Sequence, residues 1–271
     1  MSDDPPSLSP RLLFSTAAFY GVPLRTAFRH IAEAGFGSVE VMVTKDPDSQ
    51  EPERIRAHAE EFGLSVEAVH APFLLVARRV WGTDPVEKIR RAVEVAEAVG
   101  ARLVVAHPPY RWQVGYRSWL ADRPEEPSTN TSILIAVENM FPVRVVGRAG
   151  VRFHSGQDLE ALERLPHAVF DTSHAAVSGL DLVETYRRLR PNLVHVHLSD
   201  NAGKGWDSHL PLGQGVLPVA RLLEDMATDG YAGTISLELN LGQFSNDERA
   251  SHEVLVNQRM FCEEYLPLET A

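Results

Sequence analysis

Short apolar runs recur along the chain, and each is followed by a stretch with helical spacing. The runs are Leu12–Ser15, Ser38–Met42, Ser65–His70, Leu103–His107, Ile133–Glu138, Ala168–Asp171, Leu193–Leu198 and Thr234–Leu239. Most are nearly continuous in Val, Ile, Leu and Ala, as expected of parallel strands covered on both faces. Among the helical stretches the clearest spans Asp84 to Val99, with Val86, Ile89, Val93 and Ala96 on one face. Asp84 suits the N-cap, Pro85 the first helical position, Glu87 the capping box and Gly100 the end. Val22–Ala34 before Gly35, Glu53–Phe62 before Gly63, and Leu217–Thr228 near Gly230 repeat the design. Strand, helix and glycine alternate so regularly that the chain reads as α/β, a single (β/α)8 barrel over residues 11–271. Residues 1–10 read as a disordered lead-in.

Two segments break this rhythm. Asp122–Ser132, with two prolines among Ser, Thr and Asn, predicts a shortened helix or a surface loop. Phe141–Leu165 has room for a loop and one helix, Asp158–Leu165, with Gly147–Gly156 as a mobile loop over the site. The last segment, Asp247–Tyr265, predicts a helix on the barrel surface.

Composition narrows the picture. No apolar stretch approaches the ~20 residues of a membrane span, and the acidic, proline-rich start MSDDPPSLSP is unlike a signal peptide. The chain therefore reads as cytoplasmic. Its single cysteine, Cys262, permits neither an internal disulfide nor a thiolate metal cluster and reads as a buried filler residue. A net charge of -11 argues against a nucleic-acid partner, because phosphate binding needs concentrated Lys and Arg.

Metal-type side chains stand at or just past the C-terminal ends of the runs. They are His70, His107, Glu138, Asp171, His174, His197, Asp207, His209 and Glu238. In a parallel barrel those ends converge on the face that carries the chemistry. His, Asp and Glu without Cys suit zinc, manganese, cobalt or magnesium. Asp171 and His174 are three apart just after a strand, while Asp207 and His209 share a glycine-rich loop. Glu138 and Glu238 come from strands across the barrel, so they suit both ligation and acid/base work. His195, two residues before His197, reads as a supporting or packing residue rather than a ligand. In the loop after the fourth run, Tyr110 and Trp112 suit either stacking on a sugar ring or packing of the rim. Arg111 suits a phosphate or carboxylate. Val80, Trp81 and Gly82 suit a second wall of the pocket, and Lys204 suits either an anionic substrate or a solvated turn.

From STAAFYG to the final helix the chain resembles the xylose isomerase-like TIM barrels. HVHLSDN, DSHLPLGQG and GYAGTISLELN are especially similar to members called sugar phosphate isomerase/epimerase. The superfamily also holds inosose dehydratases and the endonuclease IV abasic-site nucleases. The epimerase resemblance implies one metal on Glu138, Asp171, His197 and Glu238. There the two glutamates remove and return a proton beside the carbonyl of a small sugar, sugar phosphate or cyclitol. The endonuclease IV resemblance implies three zinc ions on all nine residues and cleavage of abasic DNA. Each branch also shows departures. Glu138 is followed by Asn-Met-Phe-Pro without the nearby second carboxylate of some epimerases, and no arginine stands at Asp207–His209. Phe73 replaces the tyrosine that endonuclease IV proteins carry after HAP. Together with the acidic balance, the loops favour a carbohydrate substrate and the isomerase/epimerase reading.

Overall fold

The computed structural model describes residues 9–72, 77, 79–121, 133–142, 151–156, 158–242 and 247–268. Strands β1 Arg11–Ser15, β2 Ser38–Met42, β3 Ser65–His70, β4 Leu103–Ala106, β5 Leu134–Glu138, β6 Ala168–Asp171, β7 Leu193–Leu198 and β8 Thr234–Leu237 close into a barrel in sequence order. Every neighbouring pair is parallel, with β8 bonded back to β1. The expected (β/α)8 barrel is therefore present. His107 and Glu238 lie just past the last ladder residues of β4 and β8, where the chain leaves the sheet and its side chains can turn toward the barrel mouth. Among the described residues, no helix is long and apolar enough to cross a membrane.

Alternation along the strands sorts the interior into two layers. Phe14, Val39, Val41, Val104, Val137, Phe170, Val196 and Ile235 pack in the large cluster that joins sheet and helices. Leu13, Ala68, Leu103, Val105, Ala136 and Val169 form a separate small cluster. This second cluster fills the lumen with modest side chains, and the same strand faces carry Glu40, His70, Glu138, Asp171, His195 and His197.

Helices α1 Leu24–Glu33, α2 Pro52–Phe62 and α3 Pro85–Val99 follow the first three strands. The α3 ends are as read from the sequence: Asp84 accepts from the Val86 N–H at 2.9 Å, and Gly100 closes the helix at φ 80°. Then come α4 Val114–Ala121, α5 Leu159–Leu162, α6 Thr172–Ser178, α7 Leu182–Leu189, α8 Val219–Thr228 and α9 Glu248–Tyr265. The helix expected over Asp158–Leu165 shrinks to one capped turn. Asp158 supplies the cap, but past Glu163 the bonds tighten to i→i−3, with the Arg164 N–H on Ala161 and the Leu165 N–H on Leu162. In the DTSH stretch Asp171 ends β6 and caps α6, whose first turn carries His174. The predicted Asp122–Ser132 segment, the Gly147–Gly150 part of the predicted loop, most of the N-terminal lead-in and Phe73 lie outside the described residues.

Phe170 is fully buried between β6 and the helix layer. Phe170→Ala should cost about 3–5 kcal/mol through lost burial and an unfilled cavity. Urea denaturation checks this; a loss below about 1 kcal/mol would contradict the assigned packing.

Candidate metal centre

Glu138 is the hub of the barrel mouth. It ends β5, is 1 % exposed, and meets four imidazoles. On Oε1 stand His197 Nδ1 at 3.0 Å and His174 Nδ1 at 3.3 Å. On Oε2 stand His107 Nε2 at 2.8 Å and His70 Nε2 at 3.7 Å. Glu238 Oε2 approaches the same His197 Nδ1 at 3.0 Å, and Asp171 Oδ2 lies 3.9 Å from it. Ligand atoms of Glu138, Asp171, His197 and Glu238 all fall within 4.8 Å of one another. A neighbouring group joins His174 Nε2 and His209 Nε2 to Asp207 Oδ2 at 3.3 and 3.0 Å. All nine residues read from the sequence as ligands thus reach one connected site.

Local structure aims each ring. His70 Nδ1 lies 3.0 Å from the Ala71 carbonyl, which can only accept, so the proton sits on Nδ1 and Nε2 faces inward. His174 Nδ1 stands in the same way 2.9 Å from the Asn139 carbonyl, and His209 Nδ1 3.0 Å from that of Glu238. Asp171 divides its carboxylate: Oδ1 caps α6 by accepting the His174 N–H at 2.6 Å, which leaves Oδ2 for the site. Asn139 clamps that strand end from β5. Its Oδ1 accepts the Asp171 N–H at 2.6 Å, and its Nδ2 donates to the Asp171 carbonyl at 2.9 Å.

The loop after β7 is stapled by Asp200. Its carboxylate accepts the N–H groups of Asn201, Gly213, Gly215 and Leu217 at 2.8–3.1 Å. This closes the turn that carries Asp207 and His209. Ser173 donates to Asp207 Oδ1 at 2.6 Å, and His209 adopts φ 41°, a backbone state unusual outside glycine.

The donor set fits a divalent cation. Glu138 Oε2, Asp171 Oδ2 and Glu238 Oε2 are buried without a hydrogen-bond partner of acceptable geometry. Orphaned carboxylate oxygens beside imidazole nitrogens are what hard-to-borderline metals take. Electrostatics agree. Burial opposes the charged forms of His197, His174 and His209, but the surrounding carboxylates outweigh it. The first two are held well above the usual imidazole range and His209 is pushed up to about 9. Burial pushes Asp171 up to about 6, whereas the imidazoles overcome burial at Glu138 and hold it well below the usual carboxylate range. Protons on the rings therefore balance the carboxylates when no cation does so.

The residues expected to touch substrate are dispersed. Tyr110 is 5 % exposed and packs between neighbours, 4.7 Å from Trp112 and 4.3 Å from His154 by ring centroid. Tyr110 is packed at the rim, while Trp112 stays 64 % exposed. Arg111 is exposed, Lys204 sits 5.7 Å over the Trp206 ring, and Arg91 covers Trp81 at 5.4 Å. A cavity of about 640 Å³ opens instead beside Glu238 and His209, walled by Phe19, Tyr20, Val22, Asn240 and Leu241. Sequence reasoning missed this wall, because STAAFYG gives no sign that its short 3-10 turn Thr16–Phe19 lines a cavity.

The xylose isomerase-like TIM barrel model matches residues 28–257. The chain belongs to that family. An uncharacterized protein of Mycobacterium leprae is 35% identical across 93% of this chain and 96% of its own length. A probable endonuclease 4 of Bacillus licheniformis is 28% identical, over 59% of this chain and 61% of the relative. A putative hydroxypyruvate isomerase of Streptomyces coelicolor is 27% identical, over 71% of this chain and 61% of the relative.

Two outcomes follow for the family member described here. Because His197, His174 and His209 hold protons that a cation must displace, zinc uptake at pH 7 should release more than one proton per chain. Its affinity should fall as pH drops. Calorimetry in buffers of different ionisation enthalpy measures the release; none would contradict the assignment. A Cβ at Gly215 would collide with Asp200 Oδ1 and the Asn201 carbonyl. Gly215→Ala should therefore cost about 2–3 kcal/mol and weaken metal retention, as thermal unfolding and elemental analysis would show.

Proposed function

We propose that the protein is a divalent-metal-dependent isomerase or epimerase of a small sugar, sugar phosphate or cyclitol. One observation carries this reading: two carboxylates from opposite sides of the barrel, Glu138 and Glu238, share a four-residue donor set that borders a small-molecule cavity. A bound divalent cation supplies Lewis-acid polarisation of a carbonyl and its neighbouring hydroxyl. The chain does the rest. Glu238 lines the cavity, so it takes the proton from the carbon beside the carbonyl. It returns that proton to the neighbouring carbon in isomerisation, whereas in epimerisation the same carbon takes a proton from solvent on its opposite face. Glu138, buried and braced by His70, His107, His174 and His197, keeps its carboxylate charged and holds the position of the centre. Phe19, Val22 and Leu241 exclude water from the apolar edge of the substrate, while Asn240 and Ser251 offer hydrogen bonds to its hydroxyls. The Streptomyces relative, named as a putative isomerase, supports this reading.

A second reading has its own observation. His70 and His107 flank Glu138, and His174, Asp207 and His209 form a further group, so the nine donors suit three zinc ions and hydrolysis of a phosphodiester. The Bacillus relative, named as a probable endonuclease, supports that alternative.

Elemental analysis of protein purified without chelators, followed by two assays, separates the readings. Deuterium uptake from D2O beside the carbonyl of ketoses and inososes, with about one manganese or cobalt per chain, is expected. Glu238→Gln should slow that exchange by roughly 10²–10⁴-fold. About three zinc per chain, with abasic-DNA cleavage and no exchange, would overturn the isomerase assignment.

A further inference from the structure

One glutamate in the lumen has no part in the roles above. Glu40 stands in the middle of β2, fully buried, between Val39 and Val41, which face the helix layer. A carboxylate so placed costs several kcal/mol unless its surroundings compensate. Here the compensation is specific. Glu40 Oε2 lies 2.7 Å from His195 Nε2 and 3.1 Å from His197 Nε2, and Ser15 Oγ donates to Oε1 at 3.3 Å. An ionised carboxylate only accepts, so both Nε2 atoms carry the proton.

The assignment fixes His197 for its other task. With Nε2–H donated to Glu40, the ring presents Nδ1 to Glu138 Oε1 and Glu238 Oε2, 3.0 Å from each. His195 is held in turn: its Nδ1 accepts from Thr234 Oγ1 at 2.6 Å. A hydrogen-bonded chain therefore runs from the first residue of β8 through His195 and Glu40 to His197.

We propose that Glu40 is a positioning residue of the metal centre. By accepting the Nε2 proton it sets the tautomer and rotation of His197, so that the Nδ1 lone pair meets the cation with enhanced basicity. His195 and Thr234 hold Glu40 in place. This arrangement of carboxylate behind histidine is a general device for orienting metal ligands. The inference rests on the metal centre read above but on neither reaction, so it holds for isomerase and hydrolase alike.

Cobalt(II) binding to the intact protein tests it without an activity assay. Glu40→Gln keeps the size of the side chain and removes its charge. It should weaken cobalt affinity roughly 10–100-fold and shift the visible d–d absorption, while Glu40→Asp restores part of both. Equal affinity and an unchanged spectrum would overturn the proposal. Because a charge lost from the lumen can also impair folding, wild-type protein labelled with ¹⁵N-histidine and loaded with zinc gives an independent reading. His197 should show a protonated, slowly exchanging Nε2 and a ligating Nδ1; ligation through Nε2 would refute the role. Wild-type protein that takes up neither cation would bring down the metal centre itself, a failure distinct from loss of Glu40's role alone.

Discussion

The burial of the Glu138 carboxylate is the constraint on which the barrel mouth depends. A charge at 1 % exposure is stable only where opposite charge or strong donors surround it, and four imidazoles do so here. They come from β3, the end of β4, the start of α6 and β7. The carboxylate thus ties together elements distant in sequence, and the strand ends must hold their register for it to be satisfied. Packing supplies that register. The large outer cluster fixes each strand against its helix, and the small lumen residues Ala68 and Ala136 leave room for histidine and glutamate above them.

The same site shows how electrostatics prepares function. Carboxylates and imidazoles are brought closer together than charge balance alone would favour, and the imbalance is met by protons on the rings. A cation would exchange for those protons and use the oxygens of Glu138, Asp171 and Glu238 that hold no well-formed hydrogen bond. Stability and binding are therefore coupled: the groups that cost most to bury are those with most to gain from a metal.

Much of this was legible in the chain itself. The eight strands stood out as short apolar runs separated by helical stretches, and the nine proposed ligands were read at or beyond the C-terminal ends of six of them. The helix N-capped by Asp84 and closed at Gly100 was equally plain. Glu40 was not, although Ser-Val-Glu-Val-Met carries a charge within an apolar run. Alternation alone cannot say whether such a residue points to solvent or lumen. His195 was read as a supporting residue, and its place behind Glu40 agrees, but its partner lies 155 positions away in the chain. The short α6 hid behind Thr-Ser-His, whose weak helical preference is overcome by the Asp171 cap and the packing of Ala175 and Val177. The cavity wall of Phe19 and Tyr20 was not legible from STAAFYG, because it depends on how the turn after β1 folds.

The central claim is that these side chains form one metal centre at the barrel mouth. Anomalous diffraction from crystals grown with manganese or zinc, recorded at the metal's absorption edge, tests it most directly. The account predicts a peak among Glu138, Asp171, His197 and Glu238, with His197 ligating through Nδ1. A peak elsewhere on the molecule, or none at saturating metal, would contradict it.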